Sequence, residues 1–480
     1  MDGVDEPTHP GGTAKPTAKS TAKTIAKTTA KTTAKTTANE PAKTSGKATL
    51  QQPERGPFCD PFLMELEASG YGSAPTRERS RRMLGSEAGT SPTRWIDLPW
   101  SFPPWRAALD AAPSGIRWVP RDRRLPFATG QNQENPMSRT MHAAVVEKFR
   151  EPLVLKELPI PTPAAGQILV KTEACGVCHT DLHAARGDWP LKPTLPFTPG
   201  HEGIGIVAAL GAGVTAVKEG DRVGVPWLFS ACGHCEYCLA AREPVCPSAQ
   251  FGGYTVNGGF AEYIIADPSY VAHIPAHLEP HAAAPLICAG ITSYKGIKET
   301  QARPGEWIVI SGIGGLGHLG VQYAIAMGLQ VCAVDVDEGK LAHAKRLGAS
   351  ATVNAKTGDP ITAVQKITGG GGHGVLITAP SLGAFKQGVG MTRKWGTCVL
   401  VGLPPGDFPT PLFDVVANCI SIRGSFVGSR GDMAEALAFA AGGKVKADIE
   451  LQPLSAINAV FERLEHGDVP SRVVLDFAKH

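Results

Sequence analysis

Apolar and polar positions change rhythm near residue 288. Before it, apolar residues come in short clusters: AAVV (143–146), QILVKTEAC (167–175), GIGIVAAL (203–210), GDRVGVPW and FAEYIIAD, cut apart by Gly and Pro. Such clusters predict a small, irregular, largely antiparallel barrel. After it, strands and helices alternate. A fully apolar strand (307–311, WIVIS) precedes a helix (317–327) that ends at Gly328, and a second strand follows (331–335, VCAVD). GVLITAP (374–380), TCVLVGLPP (397–405) and SIRGS (421–425) extend the pattern, which predicts a parallel sheet flanked by helices. From about Phe426 the chain is expected to rejoin the barrel. There a helix should begin at the capping box Asp432-Met-Ala-Glu435, another should run near 454–466 and stop at Gly467, and SRVVLDF should form a last strand. The resulting map is α/β: a basic extension (1–140), a catalytic half (141–288), a dinucleotide half (289–425) and a return (426–480).

The extension follows neither rhythm. Ala-Lys recurs every four residues from Ala14-Lys15 to Ala34-Lys35, leaving almost nothing apolar to bury and setting like charges at i,i+4, so the tract should be disordered alone. It reads either as a polybasic arm for nucleic acid, anionic membrane or organelle targeting, or as a low-complexity tail without a task. Residues 51–137 hold Arg runs (Arg79, Arg81, Arg82; Arg121, Arg123, Arg124) and four tryptophans (Trp95, Trp100, Trp105, Trp118) without a sustained period.

Charge separates the same regions. Residues 1–140 carry 20 Lys+Arg against 14 Asp+Glu, a net +6, and the rest carry 27 against 30, a net −3. Nucleic-acid contact is therefore conceivable only through the Lys-rich arm. No apolar run approaches the roughly 20 residues of a membrane span. Ten of the eleven cysteines lie after residue 170, six of them in metal-ligand context, which points to a reducing, cytoplasmic compartment with organelle targeting left open.

The stretch around Cys178 concentrates the chemistry. Cys178, His179, Thr180, Asp181 and His183 share one short segment, and His201 and Glu202 follow a Pro- and Gly-bounded loop. A thiolate and a neutral imidazole suit Zn2+, and the hydroxyl of Thr180 and the imidazole of His183 can pass a proton to water. A catalytic zinc takes three protein ligands, and Cys288 is the candidate third. Cys232, Cys235, Cys238 and Cys246, at spacings of three, three and eight, suit a closed tetrahedral structural zinc.

GIGGLG stands between the 307–311 strand and the next helix. Gly312, Gly314 and Gly317 take the G-x-G-x-x-G positions, with Gly315 and Leu316 between them, and Asp335 follows eighteen residues after Gly317. That is the Rossmann context for a dinucleotide, and the acid at Asp335 favours NAD over NADP.

These motifs together resemble the zinc-dependent alcohol dehydrogenases of the medium-chain dehydrogenase/reductase family, in particular the small-alcohol enzymes of yeasts and bacteria. The resemblance runs from about Met141 to the C-terminus. It implies a GroES-like β-barrel catalytic domain with a Rossmann doubly wound parallel sheet, two Zn2+ per subunit, NAD, a small alcohol or aldehyde substrate, and a homo-oligomer, with a tetramer favoured. It also implies roles. Cys178, His201 and Cys288 would hold the catalytic zinc, with Glu202 an exchanging ligand and Asp181 fixing the His201 tautomer. Thr180, the NAD ribose and His183 would carry the proton. His179 and Arg472 would contact the pyrophosphate, Lys340 the adenosine ribose, and Val401 and Leu403 the nicotinamide. Trp189 and Trp227 would narrow the substrate pocket. Since MSRTMHAAVVEKF resembles the start of such an enzyme, residues upstream of Met137 are expected to be translated leader. Two other readings remain: a zinc polyol, threonine or formaldehyde dehydrogenase on the same fold, and a zinc-bound structural or nucleic-acid-associated protein acting through its Lys-rich arm.

Overall fold

The computed structural model describes residues 139–469 and 471–478. The Ala-Lys tract, the Arg runs, the four upstream tryptophans and Met137 lie outside the described residues.

Two sheets dominate the described residues. The first has six parallel strands in the order Ala351–Asn354, Gln330–Asp335, Trp307–Ser311, Gly372–Ile377, Thr392–Leu400 and Ser421–Gly424. Counted along the chain this is 3-2-1-4-5-6, the doubly wound Rossmann order. Its central strand is apolar on both faces because helices cover both, and Ile308, Val309 and Ile310 are fully buried. Helix starts follow local chemistry. The Asp337 carboxylate accepts from the Lys340 N–H at 2.8 Å to cap Glu338–Arg346, and Asp359 caps Pro360–Thr368 ahead of a proline in its first turn.

The second sheet is the barrel. Ile168–Val177 lies at its centre, antiparallel to Gly203–Leu210, Tyr263–Ala266 and Arg472–Asp476. The Arg472–Asp476 strand comes from the end of the chain, with Val474 opposite Gly176. This non-local pairing adds the last strand of the chain to the sheet and brings Arg472 beside residues almost three hundred positions earlier.

One local expectation is corrected. The helix Arg430–Ala441 is capped by Ser429, not Asp432: Ser429 Oγ accepts the Asp432 N–H at 3.2 Å, and the Asp432 carboxylate accepts the Ser429 N–H at 2.9 Å. Asp432 is thus the third residue of the first turn, and the box sits one turn earlier. The next helix, Ile457–His466, ends as expected at Gly467, whose φ is +75°.

Candidate active site

Strand register gathers the first residues. Cys175 pairs with Gly203, so Cys178, just past the end of one strand, and His201 and Glu202, just before the start of the other, lie at the same sheet end. Cys178 also precedes the helix His179–Arg186. Cys288 arrives from the other half of the chain, at the start of the helix Ala289–Thr300. Ligand atoms of Cys178, His201, Glu202 and Cys288 all lie within 4.8 Å of one another, and all four residues are buried. Cys175 is buried too, but belongs to the core rather than this cluster.

Asp181 organises the cluster. Its carboxylate accepts the N–H of Cys178 at 2.9 Å and of Gly200 at 3.0 Å, and lies 2.8 Å from His201 Nδ1. An Nδ1–H donated to Asp181 leaves the Nε2 lone pair facing the sulfurs, and Nε2 is 3.1 Å from Cys288 Sγ. Hydrogen bonding from Cys288 holds Cys178 well below the ordinary thiol range against burial, and His201 adds to the effect.

Glu202 is fully buried and pairs with Arg472 through one oxygen. Its other oxygen, Oε2, has no partner, and burial pushes the carboxyl up to about 6. Only glycine fits at position 176, where a Cβ would lie 1.8 Å from that oxygen. Two sulfurs, an imidazole with a fixed tautomer and an orphaned carboxylate oxygen fit a zinc ion in donor chemistry and in spacing.

The glycine loop lies on the other side of Arg472. A Cβ at Gly315 would come within 2.9 Å of Arg472 Cδ, one at Gly317 within 1.8 Å of the Gly312 carbonyl oxygen, and one at Gly314 would meet nothing within 4 Å. The loop is tightly packed except at Gly314, where its backbone faces open space before the helix Gly317–Ala326. That opening and the helix N-terminus suit a pyrophosphate. Leu316 anchors the loop by accepting from Ser293 Oγ at 2.9 Å. Asp335 ends its strand with Oδ2 accepting the Ile313 N–H at 2.6 Å, and Lys340 lies on the following helix.

A cavity of about 930 Å³ joins the two sides. Cys178, Thr180, His201 and Cys288 line one part, and Leu316, Val401 and Leu403 another. Its aromatic lining includes Trp189 and Trp227 with Phe251, Tyr254 and Phe426. The Trp227 ring lies 5.2 Å from that of His201 and 5.4 Å from that of Tyr254, while Trp189 lies 5.4 Å from His183. His179 starts its helix and is exposed. The wall residues Phe251, Tyr254 and Phe426 were missed in the sequence because a two-residue strand holds Phe251, a turn holds Tyr254 and a loop holds Phe426, too short or irregular for any period to flag them.

Comparison with known proteins bears on this geometry. Residues 164–276 match the model of the alcohol dehydrogenase GroES-like domain, and residues 315–442 that of the zinc-binding dehydrogenases. An alcohol dehydrogenase of Moraxella sp. (strain TAE123) is 58% identical over 337 residues, covering 70% of this chain and 99% of that protein. The chain belongs to the zinc-binding medium-chain alcohol dehydrogenases. A second member of the family, an alcohol dehydrogenase of Geobacillus stearothermophilus, is 54% identical over 335 residues, covering 70% of this chain and 99% of that protein. The crystal structure of the alcohol dehydrogenase from the archaeon Aeropyrum pernix superposes with a TM-score of 0.65 at 33% identity, covering 70% of this chain and 99% of that one.

This dehydrogenase fold carries a second candidate zinc site. Cys232, Cys235, Cys238 and Cys246 place their sulfurs within 4.8 Å of one another, with Cys235 3.6 Å and Cys232 3.9 Å from Cys238. Sulfurs about 2.3 Å from a tetrahedral zinc stand roughly 3.8 Å apart, so four thiolates on one lobe fit a closed structural site. Backbone N–H groups of His234 and Cys235 pull Cys232 down to about 6. No helix among the described residues is long and apolar enough to cross a membrane.

Proposed function

We propose that this chain catalyses reversible hydride transfer from a small primary or secondary alcohol to NAD, giving an aldehyde or ketone. One observation carries the reading: Cys178, His201 and Cys288 converge at one side of a cavity that Leu316, Val401 and Leu403 line as well. When bound by these three residues, zinc supplies a Lewis acid that makes an alcohol hydroxyl easier to deprotonate.

The chain's own residues do the rest. Asp181 holds the His201 ring in its ligating tautomer. Thr180 accepts the hydroxyl proton as it gives up its own, and His183, three residues further on the same helical face, takes the relayed proton and passes it outward. Trp189 and Trp227 exclude water and admit small substrates. Glu202, with one carboxylate oxygen free, is the candidate exchanging ligand. Gly312, Gly315 and Gly317 allow the loop its tight packing and Gly314 opens the backbone to a pyrophosphate, supported by His179 and Arg472. Asp335 and Lys340 take the adenosine ribose, with the Asp335 charge disfavouring a 2′-phosphate, and Val401 and Leu403 pack the nicotinamide end.

A homo-oligomer, with a tetramer favoured, is part of the proposal. The outermost strand Ser421–Gly424 leaves a sheet edge open, and the preceding helix Leu412–Ala417 exposes Leu412 (75%), Phe413 (82%) and Val416 (75%). Six ligating thiols favour a reducing, cytoplasmic setting. The activity is tested by NADH formation with a panel of alcohols, with and without a zinc chelator. Failure to reduce NAD with any simple alcohol would overturn it.

A further inference from the structure

His183 is not simply open to solvent on its outer side. Its Nδ1 lies 3.0 Å from Asp188 Oδ2, and Asp188 Oδ1 accepts from the Arg150 guanidinium at 3.0 Å. The side chains of His183 and Asp188 are 27% and 26% exposed, so the pair is partly buried rather than in bulk water.

The local backbone is shaped to make this triad. The helix His179–Arg186 stops at Gly187, whose φ of +62° turns the chain back, and the Asp188 N–H donates to the His183 carbonyl at 3.2 Å. A Cβ at Gly187 would meet the Phe149 ring at 3.0 Å, so the turn is confined to glycine on both counts. Next to Phe149, Arg150 holds a φ of +68°, a left-handed conformation that a non-glycine residue keeps only when its surroundings enforce it. The Arg150 N–H donates to the Ala185 carbonyl at 3.1 Å, which docks that strained residue against the end of the helix.

We propose that Asp188 is a positioning residue for the proton transfer, taking the Nδ1–H of His183 so that Nε2 is presented as the base, while Arg150 holds the carboxylate in place. The inference rests on the reading that His183 carries the substrate's proton. A neutral imidazole has one N–H, and a carboxylate at Nδ1 claims it, leaving the lone pair on Nε2. Nε2 then gains the proton, the ring becomes an imidazolium paired with Asp188, and Nε2 gives the proton to water. The Nδ1–H stays in place throughout. The other charged groups nearby do not replace Asp188. His179 shares the helix and adds no negative charge, Arg186 is paired with Glu465, and Lys192 lies over the Phe149 ring at 5.6 Å.

The test is steady-state alcohol oxidation across pH with Asp188→Ala, Asp188→Glu, His183→Gln and the His183→Gln/Asp188→Ala double variant. Asp188→Ala should lower kcat roughly threefold to tenfold, a fraction of what a general base contributes. KM values should stay within about twofold and zinc content should not change. Asp188→Glu should restore most of the rate, and Asp188→Ala should cost nothing further once His183 is Gln. A slow His183→Gln enzyme beside a wild-type-like Asp188→Ala enzyme would overturn the role of Asp188 alone. The same would follow if Asp188→Ala cost an equal factor in both backgrounds. A His183→Gln enzyme as fast as wild type would sink the His183 relay and this inference with it.

Discussion

Asp181 Oδ1 stands 2.8 Å from Nδ1 of His201, and both side chains are 1% exposed. Two backbone N–H groups, from Cys178 and Gly200, converge on the same carboxylate. An amide cannot satisfy three donors, because it replaces one acceptor oxygen with an NH2 group. Asp181→Asn should therefore weaken zinc retention about 10- to 100-fold. It should also cost about 1–3 kcal/mol of stability through a buried donor left unpaired. Chelator competition and denaturant unfolding measure the two effects, and wild-type zinc retention would contradict the role given to Asp181.

The Trp227 side chain is held by packing alone. Its ring stacks on Phe251 at 5.1 Å, stands edge-on to His201 at 5.2 Å, and its Nε1 has no hydrogen-bond partner. Trp227→Ala should enlarge the cavity beside the cluster and raise the ratio of kcat/KM for benzyl alcohol over ethanol about 10- to 100-fold. A ratio unchanged from wild type would show that the indole does not set substrate size.

Some of this site was legible in the sequence, and the reason differs residue by residue. The Rossmann loop was readable because its glycines, strand and helix are contiguous, so spacing alone carries the signal. The four lobe cysteines were readable for the same reason. Cys288 stands 87 residues beyond His201 in the chain, and only the resemblance to a family linked it to Cys178. Strand pairing decides the position of Arg472: the register of Val474 with Gly176 brings its guanidinium to Glu202, a contact that no local pattern encodes. Tyr254 and Asp188 follow turns, where neither a helical nor an alternating period exists to mark them. The capping box was misplaced by one turn because Asp432 and Glu435 have the right spacing, while Ser429, three residues earlier, has it as well.

His318 makes stability depend on pH. The ring is 2% exposed, lies 3.0 Å from the Gly314 carbonyl oxygen through Nδ1, and accepts the Asp448 N–H at Nε2, 3.4 Å away. Burial pushes its pKa down to about 4, while an unfolded histidine titrates near 6.5. Above about pH 6.5 neither state is protonated and the stabilisation is complete. Between about 6.5 and 4 the unfolded chain binds a proton that the folded chain refuses, so stability falls as pH falls, by about 3 kcal/mol in all. Urea unfolding of wild type and His318→Gln across that window should show their difference changing with pH. A constant difference would contradict the assignment.

Zinc count against rate tests the central claim most directly. The intact protein should hold two zinc ions per subunit, one in each cysteine-bearing cluster. As chelation empties the Cys178, His201 and Cys288 site, NADH formation from ethanol should fall in step to background and return when zinc is restored. A zinc-free protein that reduced NAD at an undiminished rate would contradict the account.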